Sequence, residues 1–353
     1  MRDLTQVLHE FGIPENTTTT KIEVGGMSVR EAYLIKTPVE TYILKWFKPT
    51  NMNLVNSAAG TMKVLADKGF NKLPQNLQTI TGAYVAQIDG ENWELQKYLE
   101  GKLINNSELN LEQVKNLAST IADFHNSFLG ENNSLNFNEE ITYSKMFDGD
   151  QHTRMIEAID KLRQASIPEK DLQLLERYWI EYNKARDEIL RKLTNSEEKL
   201  QKSLIHRDLN KGNIIFDKHS NDVVGIVDWD TVMWGNILQD ICYICTAYLL
   251  INKNDFIDIE KSRELIQNFV DSYQSKIKLN NEEKILFPVL AEILRIRGTR
   301  WSVKTYGETF MEKDKSELAL KDYEKIQGNL NKALPNWMDT TKIIKKLFEE
   351  IKL

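Results

Sequence analysis

The sequence predicts an α+β chain of two lobes: a five-stranded antiparallel lobe carrying one helix, then a mainly helical lobe. Three observations carry that expectation. A length of 353 residues exceeds one average domain of about 150 residues, so two units are expected. Residues ahead of Leu99 fall into short β-branched and aromatic runs separated by turn residues. Residues beyond Gly101 fall into long stretches with apolar positions at helical spacing. The boundary is placed near Leu99 to Lys102, giving units 1–100 and 101–353.

The elements follow in order. Leu4, Val7, Leu8 and Phe11 stand at helical spacing, and the polar stretch from Pro14 to Thr20 ends that leading helix. Thr20 to Val24, Glu31 to Lys36 and Thr41 to Phe47 read as three antiparallel strands, divided by Gly25-Gly26 and the Thr37-Pro38 turn. Leu54 to Lys68 reads as a helix stopped at Gly69. Ala83 to Ile88 and Asn92 to Tyr98 flank Asp89-Gly90, a hairpin-turn pair, and complete the five strands. Beyond the boundary, Leu111, Val114, Leu117, Ala118, Ile121, Phe124 and Phe128 mark one helical face. Asn132 to Asn138 reads as a surface loop, and Met155 to Leu193 and Lys261 to the end read as helices with charged outer faces.

Composition narrows the function classes. With 41% hydrophobic and 28% charged residues the chain is globular, which excludes collagen-like, disulfide-scaffold and wholly disordered classes. Lys plus Arg is 46 against 52 acids, a net charge of −6 that disfavours nonspecific nucleic-acid or membrane partners. Cys242 and Cys245 have CxxC spacing, but no second pair exists, and Tyr243, Ile244 and Tyr248 mark a buried helix around core thiols. The first residues lack an apolar signal-like stretch and the run from Cys242 to Ile251 is too short to span a bilayer, so a reducing cytoplasm is expected. Oligomeric state is left open.

The chemistry concentrates between Leu204 and Asp230. Asp208 and Asn213 stand five apart on a loop that leads into Ile214-Ile215-Phe216, and the apolar run from Val223 to Val227 delivers Asp228 and Asp230. A hairpin between those runs brings Asn213 and Asp228 together at its ends, with Asp208 to one side. Hard oxygen ligands beside a carboxylate with no metal to hold are what Mg²⁺-assisted phosphoryl transfer needs.

His206-x-Asp208-x4-Asn213 followed by Asp228-x-Asp230 resembles the signature of the aminoglycoside phosphotransferase and choline kinase superfamily. The resemblance covers nearly the whole chain and implies a protein-kinase-like fold, ATP and Mg²⁺ as cofactors, and a small-molecule alcohol as substrate. It implies that Asp208 orients the acceptor hydroxyl and takes its proton, and that Asn213 and Asp228 hold Mg²⁺. Asp230 either touches a metal through water or hydrogen-bonds the backbone. His206 and Asp240 are expected to brace the loop. Lys45, flanked by Leu44 and Trp46, matches the lysine that grips the α and β phosphates; Gly25, Gly26 and Ser28 match the phosphate-covering turn. Gln96, Lys97 and Tyr98 fall in the connector whose backbone reads the adenine edge.

One departure stands out. Related kinases pair the strand lysine with a glutamate on the next helix, yet between Asn51 and Gly69 the only acid is Asp67, near the helix end. Either Asn56 or Ser57 substitutes, or nucleotide alone holds Lys45, as in the spore-coat-kinase-like branch that this pattern resembles. A catalytically weak structural or binding protein, or a choline- or homoserine-type kinase, is the alternative. Asp228-Trp-Asp230 in place of Asp-Phe-Gly, with no Ala-Pro-Glu, argues against protein substrates. Arg207, Trp234, Arg297, Trp301 and Tyr306 are the candidates for the acceptor pocket, set against core or solvated-face roles. Asp228 to Gly235 is also similar to the corresponding turn of N-acetylhexosamine kinases, which points to a sugar or amino sugar.

Overall fold

The computed structural model describes residues 3–22, 29–47, 52–131, 142–148, 150–165, 167–193, 196–253, 256–298, 306–307, 309–311, 313–314 and 317–353. Gly25, Gly26 and Ser28, the Asn132 to Asn138 stretch and Trp301 lie outside them.

Helix α1 (Thr5–Glu10) precedes strands β1 (Thr18–Ile22), β2 (Val29–Lys36) and β3 (Thr41–Phe47), helix α2 (Met52–Asp67), and strands β4 (Ala86–Ile88) and β5 (Glu91–Lys97). The strands form one antiparallel sheet of order β1-β2-β3-β5-β4. Alternation along each strand gives the sheet two unlike faces. Tyr33, Ile35, Leu44, Trp93 and Leu95 pack on one face against Leu4, Val7, Leu8 and Phe11 around α1. Lys45 and Glu94, opposite each other in the β3–β5 register, leave from the other face. Asp89 and Gly90 both take left-handed backbone, at φ 51° and 78°, which closes the β4–β5 hairpin in two residues.

Helices α3 (Leu111–Asn126), α4 (Tyr143–Asp148), α5 (Asp150–Gln164) and α6 (Glu169–Leu193) follow. The long stretch expected from Met155 to Leu193 is broken before α6, where Pro168 stands. Next come β6 (Lys202–Ile205), β7 (Ile214–Phe216), β8 (Val223–Ile226), β9 (Met233–Asn236), α7 (Ile237–Ala247), the ribbon β10 (Asn252–Lys253) and β11 (Phe256–Ile257), α8 (Ile259–Gln274), α9 (Asn281–Gly298) and α10 (Glu317–Glu349). These helices enclose one large core, which also takes in Ala58, Met62 and Leu65 of α2, so α2 is seated on the helical lobe. Cys242 and Cys245 are buried free thiols in that core, as the sequence predicted. No described helix is long and apolar enough to cross a membrane.

Two small ladders position the chemistry. The β7–β8 hairpin pairs Ile214 with Ile226, as expected. The β6–β9 pair, joining Leu204 to Trp234, was not expected, because the four residues Met-Trp-Gly-Asn carry too little pattern to announce a strand. The hairpin is gripped by the connector between lobes. Lys102 and Phe216 exchange backbone hydrogen bonds of 2.8 and 2.9 Å, and Ile226 N–H donates to Lys72 O at 2.9 Å. That approach requires glycine: a Cβ on Gly101 would meet Ile215 Cγ2 at 2.4 Å and Phe216 O at 2.5 Å, and one on Gly225 would meet Leu99 Cδ1 at 2.6 Å. Gly101→Ala is therefore expected to destabilise the protein by about 1–3 kcal/mol in a urea titration, because backbone rather than a flexible side chain must give way.

Candidate active site

The loop between β6 and β7 holds four residues that the sequence singled out, His206, Arg207, Asp208 and Asn213, and its shape is set from α7. Asp240, fully buried in the first turn of α7, accepts His206 N–H at 2.6 Å on Oδ2 and Arg207 N–H at 2.7 Å on Oδ1. Arg207 stands at φ 72°, a conformation costly for a side chain of that size, so the two charge-assisted bonds hold a strained turn. His125 of α3 faces the same carboxylate, Nε2 to Oδ2 at 3.3 Å, and its Nδ1 lies 2.7 Å from the Tyr273 hydroxyl. The His206 ring lies between two loop strands: Nε2 is 3.0 Å from Val227 O, Nδ1 accepts Asp208 N–H at 3.3 Å, and Trp229 packs edge-on at 4.9 Å. His206 and Asp240 thus both make hydrogen bonds that hold the backbone of this loop.

This frame presents Asp208. Its Oδ1 accepts from the Tyr243 hydroxyl and from Asn210 Nδ2, both at 2.8 Å, and its Oδ2 accepts from Asn213 Nδ2 at 2.9 Å. Burial and the Asp208 charge push the Tyr243 hydroxyl well above its ordinary range, so it stays a donor. Val227 N–H donates to Asn213 O at 2.9 Å, which sets Asn213 beside the Asp228 end of the hairpin. Asp228 takes left-handed backbone, φ 65° and ψ 61°. Burial raises its carboxyl above the usual range; the Lys45 ammonium opposes this, Asp230 adds to it, His206 opposes, and Asp208 adds again. Lys45, Asp208, Asp228 and Asp230 therefore form one electrostatic group spanning both lobes.

Three residues of the site escaped the sequence reading. Asn210 and Tyr243 hold Asp208; Tyr243 lies one helical turn beyond Asp240, a spacing that could have revealed it. Glu94 is the third. It is 2% exposed, opposite Lys45, and accepts Asn76 Nδ2 at 3.0 Å. Burial pushes its carboxyl up to about 7, with the Lys45 ammonium the strongest opposing influence. An acid between Trp93 and Leu95 is the same signal that drew attention to Lys45.

Several expectations need correction. The Lys97 and Tyr98 amides are spent on Gln75 O at 2.8 Å and Thr41 O at 2.9 Å, and the Lys97 ammonium pairs with Glu40, so neither N–H can read a base edge. Gln96 turns inward and is 6% exposed. Trp234 is a core residue of β9, 3% exposed, because the β6–β9 ladder carries it inside. Tyr306 is fully buried with its hydroxyl donating to Asp171 at 2.7 Å. Arg297 belongs to α9, with its side chain outside the described set; Arg207 is largely desolvated, its Nε buried without an acceptor among the described residues. A cleft of about 710 Å³ between α2 and the 71–78 segment is lined by Ala59, Met62, Lys63 and Tyr84 and by Lys97 to Glu100 of the connector; neither Lys45 nor the Asp208 loop is in its lining.

A family profile described as the phosphotransferase enzyme family matches residues 20–285, well over half of the chain and including Lys45, Glu94, the Asp208 loop and Asp240. The chain belongs to the phosphotransferase enzyme family. Solved structures agree on the fold. A spectinomycin phosphotransferase bound to ADP and spectinomycin is 17% identical, with a TM-score of 0.60 over 98% of this chain and 97% of its own. A microcompartment-associated aminopropanol kinase is 16% identical, with a TM-score of 0.63 over 96% and 98%. An amicoumacin kinase, solved with AMP-PNP, Ca²⁺ and its antibiotic, is 15% identical, with a TM-score of 0.58 over 93% of each chain.

The donor set of this phosphotransferase suits a hard cation. Asn213 spends its amide N–H groups on Asp208, leaving its side-chain oxygen for another partner, and Asp228 accepts no hydrogen bond from a described residue although it is largely desolvated. Among the described residues no group of three or more His, Cys, Asp or Glu side chains could hold a metal by itself, so a cation held by Asp228 would need further oxygen ligands such as the Asn213 side chain. The frame has a measurable consequence. Asp240→Ala strands two buried N–H donors at a strained turn and is expected to cost about 2–5 kcal/mol by chemical denaturation.

Proposed function

We propose that this phosphotransferase moves the γ-phosphoryl group of ATP to a hydroxyl of a small molecule, a sugar or amino sugar. The observation that carries the reading is the Asp208 carboxylate, held by Tyr243, Asn210 and Asn213 beside Asp228. Asp208 is the catalytic residue: it accepts a hydrogen bond from the acceptor hydroxyl and takes its proton as that oxygen bonds to phosphorus and the bond to the β-phosphate oxygen breaks. Tyr243 and the two asparagines fix the carboxylate so that little reorganisation accompanies the transfer.

Asn213 and Asp228 would hold Mg²⁺, with Asp230 beside them; bound there, the cation neutralises charge on the phosphates. Lys45 reaches the same phosphates from β3. The connector from Lys97 to Gly101 would join the two lobes, and Leu99 N–H, which donates to no described backbone carbonyl outside the ladders, would be the amide left to meet the base edge. The sugar class is supported by the similarity of Asp228 to Gly235 to the N-acetylhexosamine kinase turn, and the wider class of small-molecule alcohols by relatives named for spectinomycin and aminopropanol.

Two outcomes test the reading. ATP consumption with Mg²⁺ across hexosamines, N-acetylhexosamines, aminoglycosides, choline and homoserine is expected to show turnover on a sugar, lowered at least ~100-fold by Asp208→Asn. A rate unchanged by that substitution refutes the catalytic assignment, and silence across the panel with nucleotide binding intact favours a non-catalytic role. Asp228→Ala is expected to abolish the Mg²⁺-dependent part of ATP binding in calorimetry, since it removes the charged ligand. Wild-type affinity in Mg²⁺ would show that the cation is held elsewhere.

A further inference from the structure

Lys45 stands half-buried in an apolar strand, and an ammonium so placed needs a counter-charge. The helix that follows does not supply it. The only acid of α2 is Asp67, whose carboxylate takes the Lys63 ammonium at 2.6 Å at an exposed end of the helix. The sheet offers another. Lys45 and Glu94 are directly opposed in the β3–β5 register, so their side chains leave the same face with Cβ atoms about 4.5–5.5 Å apart. Glu94 lies in the interior, and Asn76, bridged by its backbone to Gln96 on β5, clamps one carboxylate oxygen. Burial disfavours the charge on Glu94; Lys45 is the leading influence that preserves it, followed by hydrogen bonds from Gln96 and Asn76.

We propose that Glu94 is the positioning residue of Lys45, the carboxylate that aims the ammonium at the nucleotide phosphates from within the sheet rather than from α2. This rests on the phosphotransfer reading above and adds a residue to it. Because β3 and β5 share a continuous ladder from Tyr42–Lys97 to Phe47–Asn92, the two residues are set opposite each other whenever the sheet is folded, although their charged ends are not in hydrogen-bonding contact in this structure. No movement of α2 is then needed to bring a carboxylate to the Lys45 side of the sheet.

The test is a double-mutant cycle read by titration calorimetry on the full chain, with MgATP and with adenosine as probes. Glu94→Gln, nearly isosteric, is expected to weaken MgATP binding roughly 10-fold, leave adenosine binding unchanged, and have no further effect in a Lys45→Met background. In turnover assays with the acceptor found above, the same substitution is expected to raise KM for ATP more than it lowers kcat. Should Glu94→Gln fail to fold, Glu94→Asp completes the same cycle. Equal penalties with and without Lys45 overturn the proposal, and so does equal weakening of adenosine, which would make Glu94 a base-reading group. A wild-type protein that does not bind MgATP overturns the phosphotransfer reading itself, whereas wild-type binding with an additive cycle overturns only the role of Glu94.

Discussion

The buried carboxylate of Asp240 is the constraint on which the candidate site depends. A fully desolvated acid survives in a folded protein only when donors surround it. Here the donors include two consecutive backbone N–H groups, of His206 and Arg207, and the His125 ring faces the same oxygens. Satisfying that carboxylate forces Arg207 into left-handed backbone and turns the chain so that Asp208 emerges beside Tyr243, which stands one turn further along α7 than Asp240 itself. One helix thus fixes both the backbone of the loop and the orientation of its reactive side chain.

The second organising feature is an excess of negative charge around one cation. Glu94, Asp208, Asp228 and Asp230 lie within electrostatic reach of one another or of Lys45, and burial raises both Glu94 and Asp228. Folding such a group costs free energy that an uncharged core would not. The arrangement is stabilised when further positive charge enters, which is what a cation carried with nucleotide phosphates provides. The close contacts at Gly101 and Gly225 keep this group in register, since they press the lobe connector and Lys72 onto the hairpin that ends in Asn213 and Asp228.

Much of this was legible because the relevant signals are local. The strand runs, the Asp89-Gly90 turn and the α2 stop at Gly69 depend on neighbouring residues alone, and the observed elements fall within a few residues of expectation. Asp208, Asn213 and Asp228 were legible for the same reason, since they sit on one loop and one hairpin. Residues recruited from elsewhere were not. Tyr243 reads as part of an apolar helix, and only the crossing of α7 behind the loop turns its hydroxyl toward Asp208. Trp234 and Tyr306 misled in the opposite sense, because aromatic side chains suit a pocket wall and a core equally well, and their burial is decided by the β6–β9 ladder and by Asp171 of α6.

The sequence by itself determined the two-lobed α+β class, the residues able to bind cations and take protons, and their order along the chain. Periodicity and spacing are properties of neighbouring residues, so they survive without a third dimension. Tertiary structure alone decided which charged residues stand opposite one another. The pairing of β3 with β5 sets Glu94 against Lys45 across an interval of 49 positions (94 − 45), and no local pattern reports a register between strands separated by a helix. The same holds for the connector amides: whether Lys97 and Tyr98 offer their N–H groups depends on Gln75 and Thr41 arriving to take them. Hydrogen-bond supply and demand is settled only when the chain has closed on itself.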